Sequence, residues 1–280
     1  IVEMLNQFGT KPYLTDTNTL YTGMRTNSVD HIHNANWNGF GYSTLQVPVI
    51  IADGLRGENK CECPVPNGQL LKSAILACDI VNADALVLVS HFKGHEATGF
   101  GGALKNLAMG CAARAGEMGM HSTTKPYVNK HKCTACGRCK LYCQVNAIKI
   151  SGTAEITEVC TGCARCIGAC PENAISPQWD NSSENLQKMM AEYAAAVVAS
   201  FDKPVICVNV LTSIVPKCDC LGSNDAPLIH DLGFMASTDP VALDKACHDL
   251  VKYHSDGKDI FLEASGMNGE HTYRHAAEIG

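Results

Sequence analysis

Residues 133–148 (CTACGRCKLYCQVNAI) and residues 160–175 (CTGCARCIGACPENAI) are two copies of one sequence pattern. The copies agree at nine of sixteen positions, and the second begins 27 residues after the first. Each contains four cysteines with the spacing C-x2-C-x2-C-x3-C, so the two copies hold half of the 16 cysteines in the chain. Similarity at a fixed interval indicates an internal duplication.

The cysteine spacing predicts two 4Fe–4S clusters. Three cysteines separated by two residues bind three corners of a cubane from one turn, and the fourth corner needs a thiolate from elsewhere. In bacterial two-cluster ferredoxins the fourth cysteine of each run ligates the other cluster. The expected ligand sets are therefore Cys133, Cys136, Cys139 and Cys170 for cluster 1, and Cys160, Cys163, Cys166 and Cys143 for cluster 2.

Two other interpretations of these cysteines are weaker. A disulfide framework requires an oxidising compartment, and Ile1–Thr10 has no secretory signal pattern. Structural zinc uses C-x2-C pairs joined by a longer spacer, and a third cysteine at the same interval has no place in its tetrahedral site. Gln144 stands where the second copy has Pro171, but neither is a ligand, so the ligand count is unchanged.

Charge and hydropathy exclude several classes of protein. The 22 basic and 28 acidic residues give a formal charge of −6 without a basic run, which argues against nucleic-acid binding. No apolar stretch approaches the roughly 18 residues that a membrane span needs. The absent signal pattern and the oxygen-sensitive clusters lead us to expect a cytoplasmic protein of an anaerobe. Because Ile1 is not a methionine, we also expect an upstream segment to be missing.

Two oxidised clusters would take the formal charge from −6 to about −10. An acidic electron carrier pairs with a positive surface, so the expected partner is a redox protein with a basic docking face. The sequence does not predict the oligomeric state.

The rest of the chain predicts an α/β fold, with a mixed or parallel sheet and flanking helices. Its elements are predicted as strands at 47–52, 85–90 and 204–211, and as helices at 71–81, 181–201 and 241–253, with Asn181 and Asp239 as N-caps. We expect two parts of one α/β domain, 1–130 and 178–280, and between them an inserted two-cluster ferredoxin-like domain at 131–177.

The glycine-rich segment at 91–106 predicts a second site. It follows a predicted strand, where α/β domains place ligands, and glycines before a helix let backbone N–H groups approach an anion. It is neither a P-loop, because Phe100 replaces the lysine, nor a dinucleotide fingerprint, because Leu104 replaces the third glycine. The predicted catalytic residues are His91, Lys93, His95 and Lys105, and the predicted cofactor-binding residues are Gly99, Gly101, Gly102 and Asn106. Whether the additional ligand is a metal or an anion stays open, and the alternative is a tightly packed loop with solvated lysines.

Other histidines and cysteines are candidate metal ligands. His121 is one, with a surface or capping role as its alternative. Cys218 and Cys220 form a C-x-C pair, which chelates a soft metal, cycles as a dithiol or consists of two small buried residues. The remaining cysteines are interpreted as incidental in a turn, for Cys61 and Cys63, or as core residues, for Cys78, Cys111, Cys207 and Cys247.

Stretches outside the two copies together resemble the iron–sulfur branch of domain-of-unknown-function family 362. They are 15–21 (TDTNTLY), 52–55 (ADGL), 91–95 (HFKGH), 99–106 (GFGGALKN), 218–220 (CDC) and 239–244 (DPVALD). The resemblance covers nearly the whole chain. It implies an α/β fold with an inserted two-cluster ferredoxin-type domain, further sequence upstream of TDTN, and little about a substrate.

Three functional hypotheses follow. In the first, two clusters relay electrons to or from a site on the α/β domain, which makes the chain a component of an oxidoreductase. In the second, the His and Cys loops belong to a metal-handling or cofactor-assembly protein. In the third, a ferredoxin module is carried on a scaffold without catalytic activity.

Overall fold

The computed structural model describes residues 1–21, 23–122 and 124–280. The strands are β1 (Leu14–Asp16), β2 (Val49–Ile51), β3 (Lys60–Pro64), β4 (Ser73–Ala77), β5 (Val87–His91), β6 (Lys93–His95), β7 (Gly99–Gly101), β8 (Tyr127–Val128), β9 (Ile148–Ser151), β10 (Thr153–Ile156), β11 (Ile175–Ser176), β12 (Ile206–Leu211) and β13 (Gly233–Ser237).

The helices are α1 (Val2–Gln7), α2 (Ser28–Trp37), α3 (Tyr42–Leu45), α4 (Cys78–Val81), α5 (Ala103–Cys111), α6 (Arg114–His121), α7 (Arg138–Leu141), α8 (Arg165–Ala169), α9 (Ser183–Ala199), α10 (Pro240–Tyr253), α11 (Ile260–Ser265) and α12 (Glu270–Ile279), with a short 3₁₀ helix, η1 (Asp219–Leu221). Among the described residues, no helix has both the length and the apolar character that crossing a bilayer requires.

The chain forms two compact units. Unit 1 consists of Ile1–Cys61, Ile75–Ile80 and Cys111–Asp180, and unit 2 consists of Glu62–Ala74, Val81–Gly110 and Asn181–Gly280. Our division into 1–130, 131–177 and 178–280 stays a prediction.

Unit 2 is built on a mixed three-stranded sheet in the order β13–β12–β5. The central strand β12 runs parallel to β5, with Asn209 opposite Ser90, and antiparallel to β13. Helix α10 contacts β12 and β13, and it begins as predicted: Asp239 accepts hydrogen bonds from Val241 N and Ala242 N. Helix α9 begins one residue later than predicted, with Ser182 as its N-cap. The predicted α/β fold with flanking helices is confirmed.

Two local predictions are wrong. The segment 71–81 is mostly strand, because β4 pairs with β3, and only its last four residues are helical. The glycine-rich segment contains an antiparallel hairpin of β6 and β7 in place of a loop, with Gly94 opposite Phe100. Gly94 lets this hairpin approach the loop after β12 closely, since a Cβ at residue 94 would lie 2.2 Å from Pro216 O.

Unit 1 contains the parallel pair β1–β2 and both cysteine-rich copies. In the duplicated region β8 pairs with β11, and β9 pairs with β10, both antiparallel. Buried residues of unit 1 form an apolar cluster around this region: Leu20, Met118, Ile148, Ala154, Ile156, Ala164, Ile167 and Ile175, together with Cys139 and Cys166.

A buried polar group links distant segments within unit 1. Asp53 Oδ1 accepts hydrogen bonds from Asn18 N at 3.0 Å and from Asn18 Nδ2 at 2.6 Å. The fully buried Arg114 donates to the carbonyl oxygens of Arg56 and Thr26. Burial raises the pKa of Asp53 to about 6, although the hydrogen bonds from Asn18 and the charge of Arg114 oppose that shift.

Candidate functional sites

The two cysteine-rich copies follow the same backbone path. Three pairs of residues, each 27 positions apart, have left-handed φ angles: Ala135 (54°) and Gly162 (69°), Gly137 (76°) and Ala164 (58°), and Asn146 (53°) and Asn173 (49°). In each copy these turns precede and follow a short helix, α7 or α8, that carries the third cysteine. The duplication in sequence is therefore also a duplication of local structure.

Four cysteines from both copies line one cavity. Cys133, Cys136 and Cys139 belong to the first copy, and Cys170 is the last cysteine of the second. Burial raises the pKa of Cys139, and the nearby sulfurs of Cys170, Cys133 and Cys136 add to the shift. The set that the spacing predicts for cluster 1 is thus gathered at one place.

The thiol of Cys166 has sulfurs of both copies in its neighbourhood. Cys166 is buried, which raises the pKa of its thiol, and the neighbouring sulfurs that raise it further are those of Cys163, Cys160, Cys139 and Cys143. Cys143 is the last cysteine of the first copy. Cys143 of the first copy thus lies close enough to act on Cys166, as the predicted second set requires, and Cys139 of the first set lies close to Cys166 as well.

Backbone N–H groups point at the sulfurs of both sets. One such contact occurs at the same position in each copy. Ala147 N lies 3.1 Å from Cys143 Sγ, and Ala174 N lies 3.3 Å from Cys170 Sγ. Ala154 N also donates to Cys133 Sγ at 3.3 Å. N–H donors stabilise thiolates and the negative charge of whatever those thiolates bind.

Apolar side chains form part of the cavity wall, among them Ile150, Ala154, Ala174 and Ile175. Ala147 and Ile148 end the first copy as Ala174 and Ile175 end the second, and all four are at most 2% exposed. Soft sulfur ligands beside buried apolar side chains, with N–H groups aimed at the sulfurs, are the chemical environment of a 4Fe–4S cluster. The residues present fit that group.

A second group of reactive side chains lies in unit 2, where β5 and β6 meet the loop after β12. His91 Nδ1 lies 2.9 Å from Asp219 Oδ2, and His91 Nε2 lies 2.9 Å from Thr212 O. Because both ring nitrogens face acceptors, the doubly protonated ring satisfies both. The hydrogen bond with Asp219 raises the pKa of His91, and Lys93 Nζ lies 3.3 Å from the same carboxylate.

Cys218 is the centre of this group in unit 2. Its side chain is 4% exposed, and Lys105 Nζ lies 3.8 Å from its sulfur. Hydrogen bonding from Cys220 lowers the pKa of Cys218, burial opposes that shift, and His95, Lys105 and Lys93 strengthen it. The same bond raises the pKa of Cys220. The structure thus brings together the predicted residues His95, Lys105, Cys218 and Cys220.

The N-terminus of α5 is already occupied by a carboxylate. Asp244 accepts hydrogen bonds from Ala103 N at 2.7 Å and from Leu104 N at 2.9 Å. A shallow depression lies beside them, lined by residues that include Gly102, Lys105 and Asp244. An anion bound at the start of α5 would have to share the N–H groups of Ala103 and Leu104 with Asp244.

The other predicted residues have local partners. Asn106 Nδ2 donates to Val89 O at 3.1 Å and to Ser90 Oγ at 3.0 Å. His121 belongs to unit 1, where its ring lies 4.8 Å from that of Trp179. Metal binding by His121, Cys218 and Cys220 stays a prediction, as does a role in catalysis or cofactor binding for residues of the 91–106 segment.

Sequence reasoning missed three features. Asp219, which pairs with His91 and Lys93, stands between the two cysteines of the C-x-C motif, and that position was its only signal. His248, Asp259 and Glu270 have ligand atoms within 4.8 Å of one another, but the ammonium group of Lys252 lies 3.3 Å from Glu270 and supplies the positive charge there. Cys61 and Cys78, interpreted as incidental and core residues, form a disulfide.

A search of curated proteins with this chain finds no match. A protein-family model, described as domain of unknown function (DUF362), matches residues 1–249. This match covers most of the 280 residues, and the chain therefore belongs to the DUF362 family.

Proposed function

We propose that this protein transfers electrons through two 4Fe–4S clusters held by the eight cysteines of the duplicated segment. The observation that carries the proposal is the mixing of the copies: Cys170 lines the same cavity as Cys133, Cys136 and Cys139. A ligand set that draws its fourth cysteine from the other copy is the arrangement of two-cluster ferredoxins.

The chain's own residues give each cluster its setting. Thiolates from the turns bind iron, the N–H groups of Ala147 and Ala174 donate to the sulfurs of Cys143 and Cys170, and the buried alanine and isoleucine side chains keep water away. When bound, such a cluster accepts and releases one electron at a time. Donors at the sulfurs and exclusion of water set the potential at which it does so.

The partner in this proposal is a redox protein with a basic surface. The chain carries a formal charge of −6, and two oxidised clusters would bring it to about −10. Charge of this sign attracts a positive docking face and speeds the encounter at low salt.

The test is anaerobic purification of the full chain, followed by assays for iron and acid-labile sulfide. We expect about eight of each per chain, and a paramagnetic signal after reduction with dithionite. Cys170→Ser should lose about half of the iron, because it removes one ligand of one cluster only. Cys63→Ser, which changes a free cysteine outside the duplicated segment, is the control and should keep all of it. Zinc in place of iron, or four irons or fewer in the unaltered chain, would contradict the proposal.

A further inference from the structure

Charge is distributed unevenly between the two cysteine-rich copies. Residues 118–154, which contain the first copy, include six Lys or Arg residues and no Asp or Glu, so they carry +6. Because the whole chain carries a formal charge of −6, the rest of it carries −12. Residues 155–180, which contain the second copy, include four acidic residues and one arginine. The formal charge of the whole chain therefore does not describe the surroundings of the first copy.

The duplication gives an internal comparison, because most aligned positions of the second copy lack these positive charges. The aligned residues, 27 positions apart, are Lys130 and Thr157, His131 and Glu158, Lys132 and Val159, Lys140 and Ile167, and Val145 and Glu172. Arg138 keeps a basic counterpart, Arg165. Since both copies follow the same backbone path, the turns do not need the extra lysines in order to fold. These lysines are therefore a property of the surface of the first copy.

The basic surface consists of four exposed side chains, which are Lys130, Lys132, Arg138 and Lys140. None of them forms an ion pair with a residue that the structure describes. Two other cations of the region are left out of this surface, because Lys125 pairs with Glu158, and Lys149 lies opposite Glu155 in the pair of β9 and β10. Cations without an internal partner keep their charge available for an acidic surface of another molecule.

These four cations lie beside the cavity of the first cysteine set. Asn129 N donates to Ala174 O at 2.7 Å, and Cys133 N donates to Asn129 O at 3.1 Å. Because Ala174 and Cys133 both line the cavity, the turn with the first two lysines is held between two parts of its wall. The two cations of α7 flank Cys139, which also lines the cavity.

The first copy also exposes a sulfur and apolar side chains. Among the eight cysteines of the two copies, all within the described part of the chain, Cys136 is exposed and the other seven are half-buried or buried. Leu141 is 84% exposed, and Val145 is 42% exposed. The acidic residue of the cavity wall, Glu172, belongs to the second copy. Apolar side chains within a charged rim are the composition of a protein interface, and an exposed sulfur brings the first set within reach of a partner.

We propose that the basic surface docks a small acidic electron-carrier protein, which gives one electron to the cluster of the first set. The carrier is oxidised as that cluster is reduced by the same electron, and no bond forms or breaks. This exchange rests on the proposed function, whereas the docking rests on surface charge alone. The partner with a basic face then meets the acidic remainder of the chain, so that a relay has one surface for each partner.

A nucleic acid is the weaker candidate for the basic surface. Proteins that bind DNA tightly contact about six to ten phosphates, and the basic surface offers four cations. A small acidic protein needs only a patch of matching size, because charge complementarity at the rim of an interface steers its approach.

The test measures the association rate constant of the full chain, purified anaerobically, with an oxidised plant-type ferredoxin, which is a small acidic protein. Surface plasmon resonance reports this binding without electron transfer. At about 0.1 M salt the Debye length is about 10 Å, so charges near the contact decide the encounter. We expect the rate constant to fall by about fivefold between about 0.1 M and about 0.5 M salt. Two proteins that meet only through their negative net charges associate faster as salt is added.

The double variant Lys130→Thr with Lys132→Val removes two cations and introduces the residue types that the second copy has at the same positions. Its rate constant at about 0.1 M salt should be about fivefold lower. The control, Lys203→Gln with Lys258→Gln, removes two exposed lysines of unit 2 and should change the rate constant by less than about 1.5-fold. With a basic c-type cytochrome as the probe, the first double variant should bind at least as fast as the unaltered chain.

Four results would overturn the proposal. They are a rate constant that rises with salt, equal rates in the first double variant and the unaltered chain, an equal loss of rate with both probes, and a DNA duplex that binds more tightly than ferredoxin and loses its binding in the same variant. Iron is measured on every sample. A chain without iron contradicts the proposed function, while the rates with oxidised ferredoxin still decide the docking.

Discussion

Asp244 is a buried carboxylate that accepts hydrogen bonds from two backbone N–H groups and one side-chain amide. It accepts from Ala103 N, Leu104 N and Asn209 Nδ2 at 2.7 to 2.9 Å. These bonds join the start of α5 to β12 and α10 within unit 2. Hydrogen bonds to a charged group are among the stronger ones in proteins, so this single residue has a large effect on stability.

Replacement of Asp244 by asparagine tests this role. In Asp244→Asn the amide nitrogen faces a backbone donor, so one N–H loses its acceptor. We expect the free energy of unfolding of unit 2 to fall by about 2 kcal/mol in urea titrations at pH 7. Asp249→Asn, on the exposed face of the same helix, breaks only a surface ion pair with Lys245 and should change stability by less than about 0.5 kcal/mol. Equal effects of the two changes would contradict the role of Asp244.

The buried carboxyl group of Asp53 should make the free energy of unfolding depend on pH with a sign opposite to that of most carboxylates. Burial raises its pKa from 3.8 to about 6, so between those values the folded chain binds a proton that the unfolded chain has lost. The stability that Asp53 contributes therefore falls as the pH rises from about 4 to 6.

The measurement compares the unfolding free energies of the unaltered chain and of Asp53→Asn at several pH values. The difference in unfolding free energy between the unaltered chain and Asp53→Asn should become smaller by roughly 3 kcal/mol between pH 4 and pH 7. This figure corresponds to the shift of about two units in the pKa of Asp53. An advantage that grows with pH would mean that Arg114 keeps the carboxylate ionised.

At the scale of elements, the hairpin of β6 and β7 positions the thiol cluster of unit 2. Gly94 N donates to Val215 O at 2.8 Å, and His95 follows it on the same strand. This contact holds the loop after β12 three residues before Cys218. The local shape of the cluster thus depends on a close approach of two backbones.

A side chain at residue 94 should disturb that approach. Gly94→Ala brings a Cβ to within 2.2 Å of Pro216 O, so we expect a loss of about 2 kcal/mol or more in stability. Gly119→Ala is the matched control, because a Cβ on that residue of α6 meets nothing within 4 Å. The control should be neutral or stabilising by up to about 1 kcal/mol. Unchanged stability in Gly94→Ala would contradict the close approach of the two backbones.

Elements specified by local signals could be predicted, and those that depend on distant pairing could not. The N-cap Asp239 followed by Pro240 marks the start of α10 within a few residues of sequence. By contrast, Ser73–Ala77 looks helical until β3 is seen to pair with it. Asp219 escaped notice because its partner His91 is 128 residues away in sequence.

The stretches that resemble family 362 show the same limit of prediction, because their contacts join residues that are distant in sequence. In unit 1 Asn18 of TDTN binds Asp53 of ADGL, and in unit 2 Asp244 of DPVALD caps the helix that begins in GALKN. These motifs hold segments of the fold together. This role becomes visible only from contacts between residues that are distant in sequence. The cysteine sets were predictable because ligand spacing in a duplicated turn is a local property.

At the scale of the whole molecule, bound metal should stabilise the duplicated segment of unit 1 selectively. That segment has a small apolar core, to which Cys139 and Cys166 themselves contribute. Small segments that bind metal through many thiolates lose their structure when the metal is removed. Removal of iron by a chelator should therefore expose residues 131–177 to trypsin, while the peptides of unit 2 stay protected. Equal cleavage with and without iron would contradict this expectation.

The central claim is that the fourth cysteine of each copy ligates the cluster of the other copy, and alkylation mapping of Cys170→Ser tests it most directly. The variant is purified anaerobically with iron, treated with iodoacetamide and mapped by mass. If Cys170 completes the first set, then Cys133, Cys136 and Cys139 become reactive while Cys160, Cys163 and Cys166 stay protected. The opposite pattern, with Cys160, Cys163 and Cys166 reactive, would contradict the account.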